Sequence, residues 1–183
     1  IDVTNVTGHP NGINVYAIGN DGQETNLSVI TRTDHDGFGV ETKINGVSRE
    51  DSNGDTKELG MNEKIVVEFE NEVKSIDVAF AWRNNHEKAV VTFFDENGEK
   101  VGSAMVSGGG SNTEALITYY DENGNITKTE TAQGGSDKVD LEYKFEPGNG
   151  QTFSKIEFSA PGEYDDYLIN KITYKEVVDS DIT

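Results

Sequence analysis

Along most of this chain apolar and polar residues alternate with a period of two, while the 3.6-residue period of an amphipathic helix is almost absent. Residues 13–18 and 26–31 are β-patterned runs flanking Asn20-Asp21-Gly22, which predicts a hairpin. Ile65, Val67 and Phe69 alternate with Val66 and Glu68, and Ile76, Val78, Phe80 and Trp82 alternate with Asp77, Ala79 and Ala81. Two more hairpins share the tetrapeptide Asp-Glu-Asn-Gly: residues 90–94 turn at 95–98, and residues 115–120 turn at 121–124. Asn-Gly at the tip supplies the positive φ that tight hairpins need. Val139, Leu141, Tyr143 and Phe145 predict another strand, and residues 153–158 and 167–174 close the pattern. Ten or so strands joined by hairpins imply an all-β fold, a jelly-roll-like β-sandwich with long acidic loops. The loops expected to carry function are 33–55, 108–113, 133–137 and 161–166, since loops on a rigid sandwich are where binding groups can vary.

The length of 183 residues suits a single ligand-binding domain over 1–183, with its core at about 6–176 and linker residues at either end. The ends, residues 1–5 and 177–183, read as linkers to a longer protein. Charge sharpens the picture. Thirty-four acidic against 15 basic residues leave a formal net charge of −19. Nucleic acid and anionic membrane surfaces are thereby disfavoured as partners. No apolar run approaches the length of a membrane span, so membrane insertion is not expected. The chain has no cysteine, which removes disulfides, thiolate metal sites and cysteine nucleophiles.

A compact domain with this charge repels itself unless cations neutralise it. Calcium takes six to eight oxygen ligands from carboxylates, carbonyls and amides on a sharply turning backbone. Three segments offer such a set. The first is Asp34 and Asp36 around His35, followed by Gly37 and Gly39; the second is Asp51, Asn53 and Asp55 with Glu58 as a closing carboxylate; the third is Glu163, Asp165 and Asp166 before the last strand. Asp, Asn and Gly also favour solvated turns without metal, so each segment has that simpler reading beside it. Zinc is not expected, because His9, His35 and His86 are scattered without paired spacing.

Glu68 and Glu70 share a strand face, the one arrangement resembling a glycosidase carboxylate pair. Phe69 is in phase with the buried run, however, so the glutamates belong to the solvated face and the chain is not expected to be an enzyme. Arg83, Asn84 and Asn85 leave an apolar strand abruptly. An arginine among amides there can hold a ligand carboxylate through its bidentate fork, or simply pair with an acid of the protein.

Several ordered segments carry a resemblance: Gly37-Phe38-Gly39-Val40; the stretch 63–80; Asp95-Glu-Asn-Gly through Ser103; Phe153 through Ala160; and Asp165-Asp166-Tyr167 through Tyr174. Together they resemble a peptide-binding (ligand-binding) domain of large bacterial RTX adhesins. The match covers most of 8–174. Relative to shorter members, 108–137 looks like an insertion, and RTX nonapeptide repeats are absent. The resemblance implies a calcium-loaded sandwich with several Ca2+ ions on a type I-secreted protein of the bacterial cell surface. It also implies capture of free peptide or protein C-termini on other cell surfaces, in adhesion and biofilm formation, by a domain monomeric in isolation. The expected ligand-contacting set is Arg83, Asn84, Asn85, Gly109, Ser111 and Tyr167, with calcium helping to hold the terminal carboxylate. A calcium-dependent lectin is the alternative, its sugar stacked on Trp82 or Tyr167; a stalk spacer and a glycoside hydrolase complete the readings.

Overall fold

The computed structural model describes residues 1–31, 36–44, 47–48, 57–136 and 138–177. Its strands are β1 (Asn14–Ile18), β2 (Glu24–Thr25), β3 (Leu27–Ile30), β4 (Gly37–Val40), β5 (Lys43–Ile44), β6 (Val47–Ser48) and β7 (Lys64–Ala81). There follow β8 (Ala89–Phe94), β9 (Lys100–Gly108), β10 (Glu114–Tyr120), β11 (Ile126–Gln133), β12 (Tyr143–Phe145), β13 (Phe153–Ser159) and β14 (Leu168–Glu176). All pairings between these strands are antiparallel, and the protein is all-β.

The organising element is β7, 18 residues long. Its first part pairs with β1 through residues 64–68 and with β13 on the other side; its last part pairs with β12 and β14. Between these parts Lys155 faces Glu68 and Phe153 faces Val73, so β7 advances five residues while β13 advances two. A bulge of that size bends a strand. One long strand thereby serves two layers: β2-β1-β7-β13-β8-β9-β10-β11, and β3-β4-β14-β7-β12. The layers pack face to face through aromatic rings. Phe80, on the last part of β7, meets Phe158 of β13 at 6.3 Å and Tyr167 at 5.1 Å; Phe69 meets Tyr174 of β14 at 5.3 Å. The two alternating runs seen in the sequence on either side of residues 70–72 are thus one continuous strand.

Both Asp-Glu-Asn-Gly turns close hairpins as expected, β8 with β9 and β10 with β11. They are built alike: Asp95 Oδ1 accepts from the amides of Asn97 and Glu99, and Asp121 Oδ1 from those of Asn123 and Asn125. A side chain that closes its own turn in this way explains their chemistry without metal.

Three expectations change. The Asn20-Asp21-Gly22 turn joins β1 to the two-residue β2, and β3 pairs instead with β4. The segment 33–55 is not all loop, because Gly37–Val40 is a fully buried strand between β3 and β14. Gly39 is there for close approach: a Cβ would collide with the Lys57 carbonyl and lie 3.0 Å from Leu168 Cδ2. Leu141 is 49% exposed and outside a strand, leaving only β12 of the run that began at Val139. The phase argument for Glu68 and Glu70 holds: both are exposed, while Ile65, Val67 and Phe69 are buried.

Candidate metal centre

At the end of β7 the chain leaves the sheet through Trp82, whose φ of 55° lies in the left-handed region. A bulky residue rarely adopts this conformation, and here it turns the next side chain inward. Arg83 is completely buried. Its Nε donates to Asp140 Oδ2 at 2.9 Å, Nη1 to the carbonyl of Glu87 at 2.7 Å and Nη2 to Tyr143 Oη at 3.4 Å. The guanidinium also lies 5.8 Å from the ring centroids of Phe80 and Tyr143. Of the two sequence readings of Arg83, the structure selects pairing with an acid of the protein; its fork is not presented to solvent. The acid, Asp140, is itself buried, so this is an ion pair removed from water.

Arg83 anchors the loop that carries Glu87. Within that loop the Asn84 amide donates to Glu87 Oε1 at 2.8 Å and the His86 amide to Asn84 Oδ1 at 2.8 Å. The 161–166 loop is tied on from the other side, the Asp166 amide donating to Glu87 Oε2 at 3.3 Å and the Lys88 amide to Asp165 Oδ1 at 2.9 Å. A third segment joins through reciprocal backbone bonds between Leu59 and Tyr167. Three loops thus converge, and with them three buried carboxylates: Glu58, Glu87 and Asp166 each offer an oxygen within 4.8 Å of the others.

Like charges at this spacing, withdrawn from water, oppose ionisation. Burial first, and then the hydrogen bond and charge of Asp166, push the Glu87 carboxyl from 4.5 up to about 9. Such a group either keeps its proton or gives it up to a cation. The donors are all hard oxygens, with the span that a cation bound at 2.3–2.6 Å would bridge, and among the described residues no nitrogen or sulfur ligand joins the cluster. The donor set therefore fits calcium better than zinc.

Of the expected metal ligands, Glu58 and Asp166 are in this cluster. Asp165 lies beside it as a loop tie, and Glu163 is exposed. Asp36 is half-buried and sits elsewhere, its carbonyl accepting from Asn170 Nδ2 at 2.7 Å. Asp34, Asp51, Asn53 and Asp55 lie outside the described residues. Glu87, the third member of the cluster, was not among the expected residues: it lies four residues after Arg83, and nothing along the chain ties it to an aspartate 79 residues later.

The expected ligand-contacting residues divide. Asn84 and Asn85 are half-buried, and exposed Ser111 donates to Asn85 Oδ1 at 3.4 Å, so the 109–113 loop does meet the 84–87 loop at one rim. Gly109 is buried behind that rim: a Cβ on it would strike the Tyr143 hydroxyl and lie 3.0 Å from Arg83 Nη2. Its role is to let the loop close over the arginine. Tyr167 is fully buried, its hydroxyl donating to the Ser159 carbonyl at 2.7 Å, so its ring is no platform for a sugar or a peptide. The 108–137 segment supplies both this loop and the β10–β11 hairpin, and hence closes the Arg83 pocket as well as extending the sheet. No protein-family model matches the chain, and a search of curated proteins finds no relative.

Proposed function

We propose that this chain is a calcium-dependent peptide-binding module of an RTX-type bacterial adhesin. In this reading it captures free C-terminal ends of peptides or proteins on other cell surfaces, outside the cell, in adhesion and biofilm formation. The observation that carries it is the buried Glu58–Glu87–Asp166 cluster where three loops converge. Calcium bound there ties the loops together. Three carboxylates leave part of its six to eight oxygen positions for carbonyls, water or a ligand oxygen.

A bound cation is also the physical means by which so acidic a surface can hold an anionic chain end. With the Arg83 fork engaged by Asp140, the terminal carboxylate falls to the cation, and the rim of Asn84, Asn85 and Ser111 is left to bind the peptide's amides. Of the two rings on which a lectin could stack a sugar, Tyr167 is buried, which leaves that alternative only the half-buried Trp82. Binding rather than catalysis is the role assigned.

The test is a set of peptides with free or amidated C-termini, measured by calorimetry in calcium and in EDTA. Binding that needs both calcium and the free carboxylate is expected. Equal binding of amidated peptides rejects the carboxylate-on-calcium reading, and competition by millimolar monosaccharides would favour the lectin.

A further inference from the structure

Away from the carboxylate cluster, a cleft of about 490 Å³ carries the opposite sign of charge. Four lysines line it, Lys74, Lys128, Lys144 and Lys175, against one carboxylate, Glu146. The fold assembles them from four strands. Lys175 of β14 lies opposite Ser75, the neighbour of Lys74 on β7; Lys144 of β12 lies opposite Asp77; and Lys128 comes from β11, opposite Tyr119 of β10. Lys128 and Lys144 extend into solvent, with side chains 48% and 60% exposed. Each has a carboxylate neighbour at the surface: Lys128 lies 3.1 Å from the half-exposed Glu130, a pair that water screens, and Lys144 is 3.9 Å from Glu146. In a chain of net charge −19, this concave surface is lined by four ammonium groups and one carboxylate, an excess of positive charge among its lining residues. A cleft of one sign focuses its field on an incoming anion.

The geometry points to this cleft as a second binding site, for an acidic peptide segment in extended conformation. Lysines act as point charges and do not need the planar matching of an arginine fork, which suits flexible carboxylates. A sugar ring would want an exposed aromatic face. The one aromatic residue of the cleft, Tyr119, is buried, with the Lys128 ammonium 4.6 Å over its ring and its hydroxyl donating to the Lys144 carbonyl. A peptide also needs backbone partners. Here the cleft is flanked by β11, which among the described strands is hydrogen-bonded to β10 alone, and such an edge can accept an added chain. A register shift leaves Thr127 opposite no residue of β10, and Thr127 and Lys128 both line the cleft. The turn at 148–151, closed by the Gln151 amide on the Gly148 carbonyl, forms the far lip.

This site is independent of calcium. Ser75 and Trp82 are seven residues apart on and just beyond β7, roughly 23 Å at the rise of an extended strand. The probe is therefore a hexaglutamate peptide acetylated at one end and amidated at the other, titrated in EDTA while backbone amide NMR shifts are followed. Shifts confined to residues 74–75, 119, 127–128, 144–151 and 175 are expected. Lys128→Glu/Lys144→Glu should weaken binding at least tenfold, while Lys100→Glu, outside the cleft, leaves it unchanged. Both substituted lysines are exposed, so the double variant is expected to fold, which its amide spectrum checks directly. Absence of cleft shifts, or unaltered binding by the double variant, would overturn the inference. So would binding of a sulfated disaccharide or inorganic phosphate with no response to the peptide. None of these outcomes bears on the calcium reading, whose tests use the free carboxylate and the metal.

Discussion

Calcium titrated into the metal-stripped protein at several pH values, beside the Glu87→Gln variant, tests the carboxylate cluster where it is most exposed to failure. Burial and Asp166 hold the Glu87 carboxyl up to about 9, so the metal-free protein keeps this proton at neutral pH. A ligating carboxylate must be ionised, and calcium therefore has to displace the proton. The apparent affinity should tighten about tenfold per pH unit below the Glu87 value, which is about 100-fold, or about 2.7 kcal/mol, between pH 6 and pH 8. Calorimetry in two buffers of different ionisation enthalpy should count about one proton released per calcium at pH 7.

Glutamine keeps the shape and removes the titration, so Glu87→Gln should bind more weakly at pH 8 and lose the steep pH dependence. Stability follows with a definite sign. The folded metal-free state retains a proton that the unfolded chain loses above 4.5. Its stability should therefore fall as pH rises from there towards about 9, with a slope no steeper than about 1.4 kcal/mol per unit. Saturating calcium should flatten that fall. Wild-type affinity independent of pH, with no proton released, would refute the reasoning. So would a melting temperature unmoved by calcium, since a ligand of the folded state must raise it.

Removing one partner of the buried Arg83–Asp140 pair strands the other charge, so Asp140→Ala should cost about 3–5 kcal/mol in urea unfolding and loosen the loop carrying Glu87. Gly109→Ala places a methyl against the Tyr143 hydroxyl and Arg83 at a φ of 93°, and should lose about 1–3 kcal/mol. Gly98→Ala, in the same backbone region with nothing within 4 Å, should lose less, about 1–2 kcal/mol, and the same unfolding assay separates the two. Phe80→Ala opens the junction of both layers where Phe158, Tyr143, Phe145 and Tyr167 meet, and should cost about 3–5 kcal/mol by thermal or urea unfolding.

What the chain determined alone was local. Period-two alternation at Ile65–Val67–Phe69 and at Ile76–Val78–Phe80 specified strands and their buried faces, because adjacent side chains of a strand point to opposite sides. The two Asp-Glu-Asn-Gly turns were legible for the same reason, their aspartates bonding to amides two and four residues on. Acid-rich loops could be marked, and Glu58 and Asp166 were among them. Tertiary structure decided what those residues face. The bulge in β7 that lets one strand serve two layers depends on its partner β13, 80-odd residues later, and not on any local signal. Arg83 could have faced a ligand or an acid of its own chain. Only the return of 138–143 past the end of β7 put Asp140 and Tyr143 within reach and buried the guanidinium. Glu87 joined the other two carboxylates because that anchored loop meets 161–166 in space. Charge repulsion and burial are properties of distance in three dimensions, and spacing along the chain does not encode them.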